Sequence, residues 1–465
     1  MEWLIGEKRP ALRRIEARAA PFSLKNLNSI QFLVLGYLLS ILAFTGLLML
    51  PLSSASHEPQ SFIDALFVAT SGISTTGLAP VDVSRYYSVF GQIILMIDFQ
   101  IGGIGYMAIV VWLAGFLKRK LSIKSHLIAT ESLAGARLGY IGHFFRNVIA
   151  LTLFFELTGG LILAAYWARQ FPISTALYLG IFHSVSAFCT AGFSLFSDSL
   201  ASFHSSVLVN SMINIISLCG AIGFFVLAEF AVQAGDRIKK RRIRTLSTHT
   251  RLAVLVTAVV ISLATVTIFL SEAWSPGTGY FQRAMSSLFQ AISASTTDGF
   301  NTMNIAAMSA TSLLMIILLM FIGASPGSTG GGIKTTTFGV LVLATKSQLR
   351  SQRESNFFER RITDEVIRRS YSIFIIFIVV MIIDLLIMSR TEKIPFLPLL
   401  FETGSALGNT GLSMGVTSSL SWAGKLLLSI TMFIGRVGPM TIGLALAGEK
   451  RVARFQYADA EVFIG

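Results

Sequence analysis

Four twelve-residue stretches of this chain align without gaps: FVATSGISTTGL at 67–78, FHSVSAFCTAGF at 182–193, FQAISASTTDGF at 289–300 and FETGSALGNTGL at 401–412. Each opens on Phe, carries Ser four residues later and Gly ten residues later, and closes on Leu or Phe. Thr stands two positions before the glycine in three copies, and Asn409 takes that place in the fourth. The glycines Gly77, Gly192, Gly299 and Gly411 are separated by 115, 107 and 112 positions. That period is too long for a solenoid, but the test for internal repetition is the same. Any fold for this chain must use one unit four times.

The surroundings of the repeat define its solvent. The chain is 53% hydrophobic and 13% charged, with a mean hydropathy of +0.70, whereas soluble domains carry about 25% charged residues. Eight apolar segments approach the roughly 20 residues that cross a bilayer: 32–50, 89–117, 148–167, 207–232, 252–270, 312–343 with a break, 373–388 and 426–447. Each twelve-residue copy lies between two of them and is too short to cross. A half-helix of about 10–14 residues followed by a polar turn reads as a re-entrant segment, tolerated at membrane depth only where protein buries it or water reaches it. The expected architecture is an all-α membrane protein of eight transmembrane helices and four re-entrant helices around one centre. Its parts are an N-terminal segment 1–29, repeats at 30–120, 121–235 and 236–345, and a fourth repeat with a tail at 346–465.

The net charge of +13 suggests nucleic acid until the charges are placed. Of 37 Lys and Arg, 29 fall in 1–29, 118–146, 235–251, 344–370 and 448–465, which are alternate loops and both termini. They share one face, and the positive-inside rule makes it cytoplasmic. Lipid headgroups account for most of this charge, and no nucleic-acid partner is expected. The first residues lack a long apolar core of the secretory kind. Cys189 and Cys219 form neither a disulfide framework nor a metal motif. No cluster of nucleophiles or metal ligands appears, so an enzyme is not expected, nor a nucleotide bound by this chain. The sequences GIGY and GAIGF inside spans read as helix-packing glycines.

The glycine of each copy suggests its chemistry. Glycine adopts backbone angles closed to other residues, so successive carbonyls can point the same way. Four such turns around an axis make a ring of carbonyl oxygens able to replace an ion's hydration shell. The C-terminal end of each half-helix adds a negative dipole that favours a cation. Within 312–343, the sequence GASPGSTGGGIKTTT cannot sustain a helix: Gly323, Pro326, Gly327, Gly330, Gly331 and Gly332 see to that. Its hydroxyls can satisfy the freed backbone groups, and a polar plug at 323–337 near the centre fits these needs. Lys334 lies at its edge. Arg436, between Gly435 and Gly438, is the matching charge of repeat four; charges within spans usually face a cavity or a partner. Asp98, Glu156, Glu229, Asp384 and Glu402 are further embedded acids.

These motifs resemble those of the Trk/Ktr/HKT superfamily of potassium transporters, from about residue 30 to the end. TSGISTTGLAPVD, FHSVSAFCTAGFSL, STTDGFNT and GNTGLSMG are similar to its four filter strands; FIGASPGSTGGGIKTTTF and MFIGRVGPMT are similar to its inner segments. The ending EVFIG is closer to bacterial Ktr membrane subunits of the KtrB kind than to the longer Trk type. The resemblance implies a potassium filter built from Thr75, Thr76 and Gly77, Thr190, Ala191 and Gly192, Thr297, Asp298 and Gly299, and Asn409, Thr410 and Gly411. Asp298 departs from the small or hydroxyl residue usual there. The resemblance further implies an intramembrane gate loop faced by Arg436, a homodimer, and a cytosolic KtrA-like ring of nucleotide-binding regulatory subunits in a bacterial cytoplasmic membrane. Basic loops such as 236–244 and the tail are candidate contacts. Sodium dependence stays open, and a sodium-permeable or sodium-coupled transporter on the same fold is the alternative.

Overall fold

The computed structural model describes residues 29–105, 141–240, 245–438 and 440–442. The expected N-terminal segment, the end of the second apolar segment with its basic loop, residues 241–244 and the C-terminal tail lie outside the described residues. Most of what is described is helix. Each twelve-residue motif sits at the C-terminal end of a shorter helix: α2 (Phe62–Ile73), α5 (Ile173–Phe188), α9 (Tyr280–Thr296) and α13 (Phe396–Gly408). A long helix precedes each one: α1 (Ser29–Leu48), α4 (Ile141–Trp167), α8 (Thr248–Ser271) and α12 (Asp364–Thr391). Another helix follows: α3 (Val89–Ile104), α6 (Val207–Ala221), α10 (Ala310–Phe321) and α14 (Trp422–Val437). The second and third units continue as α7 (Phe224–Ile238) and α11 (Thr335–Leu349). The half-helices α5 and α9 have 16 and 17 residues, longer than the 10–14 expected.

The starts of the following helices share one device. Ser88, Ser206, Ser309 and Ser421 are their N-caps, and each hydroxyl accepts from the backbone N–H three residues on. An N-cap hydroxyl replaced by Ala typically destabilises by about 1 kcal/mol.

The units close on one another in a cycle. α3 packs on α5, α6 on α9, α10 on α13 and α14 on α2, so the last unit meets the first. The apolar residues of the motif explain this closure. Phe182 and Phe193 of the second unit lie in the core built by the first; Phe289 and Phe300 lie in the second core, Phe401 and Leu412 in the third, and Phe67 and Leu78 in the fourth. All eight are at most 1% exposed. The recurring Phe and the apolar residue after glycine are thus the keys that lock neighbouring units. Emptying one such Phe site costs about 3–5 kcal/mol.

Among the described residues, three stretches are by themselves long and apolar enough to cross a membrane: 146–167 in α4, α8 and α12. α6 and α7 add a fourth as a pair bent by 106°. This corrects two expectations. Residues 207–232 are not one straight span, and the glycines of GAIGF and GIGY do more than pack helices. Gly223 (φ 99°) is the break between α6 and α7, while Gly105 (φ 83°) ends α3 and Gly438 (φ 91°) ends α14. One exception to the all-α expectation is a two-stranded antiparallel hairpin, β1 (Ser355–Phe357) with β2 (Arg360–Ile362), between α11 and α12.

Candidate ion pathway

The four motif turns have one backbone design. The N–H just before each glycine bonds back to the carbonyl of the motif serine: Thr76 to Ser71 (2.7 Å), Ala191 to Ser186 (2.8 Å), Asp298 to Ser293 (2.9 Å) and Thr410 to Ser405 (2.9 Å). This is the six-to-one closure that ends a helix when the chain passes through the left-handed region. The residues that enter that region are Thr75 (φ 53°), Thr190 (φ 52°), Thr297 (φ 58°) and Asn409 (φ 52°). The glycines follow at φ 91°, 64°, 89° and 87°. A β-branched Thr is a poor resident of that region, at about 1–3 kcal/mol; Asn tolerates it, which explains why Asn409 can replace Thr. The sequence carried no mark of this strain, because the signal lies in backbone angles.

The turns form a closed ring. A Cβ added to Gly77 would meet the carbonyl oxygen of Ala191 and the Cα of Gly192; one on Gly192 would meet the Asp298 oxygen and Gly299; one on Gly299 the Thr410 oxygen and Gly411; one on Gly411 the Thr76 oxygen and Gly77. Each glycine thus leaves room for a carbonyl of the next unit, in the cyclic order 77, 192, 299, 411. The structure brings all twelve expected strand residues into or beside this ring.

The side chains of the two residues that depart from the pattern are bonded to other parts of the protein. Asp298 accepts from the Ser217 hydroxyl of α6 at 2.5 Å, while its main-chain oxygen faces Gly192. The Asn409 amide donates to Thr76 Oγ1 (3.0 Å) and to the Met432 carbonyl (2.8 Å).

The broken stretch of the third unit sits against the same turns. Its neck closes by a parallel bridge between Ile322 and Ile333, with Ala324 N–H on the Gly331 carbonyl (3.1 Å) and Thr335 N–H on that of Ala324 (3.2 Å). Helix resumes at Thr335, so the loop is 322–334 and the last threonines of the expected 323–337 segment lie in α11. The Thr75 hydroxyl donates to the Thr329 carbonyl (3.1 Å), and the Gly331 N–H donates to the Thr297 hydroxyl (2.9 Å). A Cβ on Gly330 would meet Thr297, and one on Gly331 would meet Asn409. The loop is also sewn to the α6–α7 break: Thr329 N–H to Gly220 (3.2 Å), Ser325 N–H to Ala221 (3.0 Å) and Phe224 N–H to Gly327 (2.9 Å). Among the expected loop residues, Gly327 (φ 67°) and Gly332 (φ 69°) take positive φ.

Two cations hold this arrangement. Arg436 donates to the Thr329 carbonyl and to the Gly102 carbonyl of α3, so one side chain joins three of the units. Lys334 turns its Nζ back onto the Gly330 carbonyl at 2.6 Å. Of the other embedded acids, Glu229 accepts from Ser247 and Thr250, Asp384 from Thr431 (2.6 Å), and Glu402 from Ser413 (2.8 Å) and Thr417. The Cys189 thiol lies 3.9 Å from Glu156 Oε1. Asp98 is buried against Gly72, and neither oxygen has a partner among the described residues.

Comparison with known proteins gives consistent results. A family profile described as TrkH, cation transport protein, matches residues 29–451. The Ktr system potassium uptake protein B of Bacillus subtilis (strain 168) is 36% identical over 439 residues, covering 94% of this chain and 96% of the relative. The potassium/sodium uptake protein NtpJ of Enterococcus hirae is 29% identical over 451 residues, covering 95% and 98%. The crystal structure of the potassium transporter TrkH from Vibrio parahaemolyticus matches with a TM-score of 0.68 and 20% identity, over 88% of this chain and 83% of that one. At that identity the likeness is one of fold.

Proposed function

The chain belongs to the TrkH family of cation transport proteins, and on that footing we propose that it takes up potassium through the ring at Gly77, Gly192, Gly299 and Gly411. It is a multi-pass membrane transport protein, not an enzyme. In this reading the repeats 30–120, 121–235, 236–345 and 346–465 are four quadrants of one pore in a bacterial cytoplasmic membrane, with both termini inside. The carbonyls of Thr76, Ala191, Asp298 and Thr410, with those of the neighbouring strand residues, replace the water around a dehydrated potassium ion. The ends of α2, α5, α9 and α13 lie directly before the ring and lend it their negative dipoles. A cell-negative voltage supplies about 2.3 kcal/mol per charge per 100 mV.

The loop 322–334 is the gate. It is bonded to Thr75 and Thr297 beside the ring and clamped by Arg436, so an ion leaving inward meets both a physical stopper and a fixed positive charge. Opening requires those bonds to break. We assign control to a cytosolic KtrA-like nucleotide-binding ring that docks on the basic face of a homodimer, with Arg237, Lys239, Lys240 and the α11–α12 connection at its surface. The cyclic carbonyl-to-glycine contact is the observation that carries the proposal. A second reading, sodium permeation or coupling on the same frame, is favoured by the potassium/sodium name of one relative.

The test is rescue of a potassium-uptake-deficient bacterium on limiting potassium, with the cognate regulatory subunit supplied. Growth restored by the wild type is expected. Growth that follows sodium rather than potassium would move the assignment to the second reading, and no rescue with any regulator would end it.

A further inference from the structure

The position nine residues before each ring glycine holds Val68, His183, Gln290 and Glu402, and the position two after holds Ala79, Ser194, Asn301 and Ser413. The first lies inside the half-helix and the second on the outgoing strand, so a bond between them would pin the strand to its helix. In the fourth unit Glu402 is fully buried and accepts from the Ser413 hydroxyl (2.8 Å) and from that of Thr417. In the second unit His183 is also fully buried. Its Nδ1 donates to the Leu179 carbonyl (2.8 Å), which leaves Nε2 to accept from the Leu195 N–H (3.3 Å), with the Ser194 hydroxyl at 3.1 Å.

The other two units lack a bond between these two positions; one residue closer to the ring, the motif serines of the second and third units, Ser186 and Ser293, donate to the carbonyls of Phe193 and Phe300 (2.9 and 2.5 Å). Val68 and Ala79 have nothing to bond with. Gln290 is fully buried, yet neither atom of its amide has a partner among the described residues, and Asn301 donates to Met303 (2.9 Å) instead. In the cyclic order of the ring, 192 and 411 are diagonal, as are 77 and 299. Units with and without a bond between these two positions therefore alternate around the axis.

We propose that His183 and Glu402 are positioning residues that hold one diagonal pair of strands rigid, so that the ring has twofold rather than fourfold stiffness and discriminates potassium from sodium through that pair. Discrimination by a carbonyl ring needs oxygens that do not collapse onto the smaller ion. Two opposed strands fixed at this level set the minimum diameter there. Glu402 carries the larger share, because a carboxylate acceptor makes stronger hydrogen bonds than a neutral imidazole.

This inference rests on the reading of the ring as a filter, and its test keeps the two apart. Purified protein with its regulator is reconstituted in liposomes, and the ratio of ⁸⁶Rb⁺ to ²²Na⁺ flux is measured. Wild-type Rb⁺ flux is the requirement of the filter reading; the ratio among variants is the requirement of the brace. Glu402→Ala is expected to lower the ratio about tenfold, the size of one charged hydrogen bond. Glu402→Gln keeps an acceptor and is expected to recover part of it. Ser413→Ala and Thr417→Ala, which remove one hydroxyl each and leave the helix intact, are expected to lower the ratio in the same direction and to add little to Glu402→Ala in double variants. Gln290→Leu and Val68→Ala are expected to leave it unchanged. Equal losses at Gln290 and Glu402, or an unchanged ratio in Ser413→Ala and Thr417→Ala with flux intact, would overturn the proposal.

Discussion

The side of the molecule that carries the ring and the side that carries the helix breaks are organised differently. At the ring, one turn is made four times: the same six-to-one closure, the same left-handed position, the same glycine and the same apolar key in the neighbour's core. At the breaks, α3 and α14 stop at Gly105 and Gly438, α6 turns by 106° at Gly223, and α10 opens into the loop 322–334. Each wall of the ring meets the next through the same carbonyl-to-glycine approach, so a change of backbone in one wall disturbs its neighbour. A passage, by contrast, is closed by a single obstruction. Repetition therefore persists where the load is shared and lapses where one unit suffices.

Glycine-to-alanine changes in the ring break the comparison most severely if it is wrong. Each added methyl would run into a main-chain oxygen of the next unit and would sit at a φ that alanine resists. Gly77→Ala, Gly192→Ala, Gly299→Ala and Gly411→Ala should each lower potassium flux by about 100-fold or more, the equivalent of two steps of 1.4 kcal/mol. Rb⁺ uptake by the four variants, normalised to protein in the membrane, checks this. One variant that transports normally would show that the four walls are not equivalent.

The next effect belongs to the other side and should be confined to one residue. Arg436→Gln removes the clamp from the Thr329 carbonyl and from Gly102. Charged hydrogen bonds contribute about 1.5–3 kcal/mol each. Losing one net bond should raise flux measured without any regulatory subunit by about tenfold, with the Rb⁺/Na⁺ ratio unchanged. A shift in that ratio would mean that the two sides are not separable.

The sequence announced the ring better than the breaks, for a physical reason. Phe, Ser and Gly at fixed offsets recur because side-chain volume and backbone freedom leave marks in residue type, and the glycine- and proline-rich loop and Arg436 stand out against apolar surroundings. The left-handed Thr75, Thr190 and Thr297 leave no such mark, since Thr has no propensity for that conformation and is held there by its neighbours. Gly105 and Gly223 pass for packing glycines in the sequence because in an apolar run a helix-ending glycine and a close-contact glycine look the same. The His183 and Glu402 braces needed the strand laid beside the helix before their partners could be named. Asp298 departs from the residue type usual at its position, and the fold names the partner of its side chain, Ser217, 81 positions away.

The smallest effect tests whether the four walls are equally strained. Asn409 shows that an amide residue fits the left-handed position. Thr190 is the Thr whose hydroxyl bonds to its own neighbouring carbonyl, Cys189 (2.7 Å), and lies only 3.4 Å from the loop's Thr329 hydroxyl, while Thr75 and Thr297 bond the loop directly. Thr190→Asn should therefore relieve backbone strain at little expense to the gate, raising the unfolding temperature by a degree or two for a gain of about 0.5 kcal/mol. The same change at Thr75 should give no such gain, because it also removes the bond to the Thr329 carbonyl. Thermal unfolding in detergent, read for both variants beside the wild type, distinguishes them. If Thr190→Asn destabilises the protein as much as Thr75→Asn, the left-handed threonines are held by packing rather than strained, and the ring stores no conformational energy at that position.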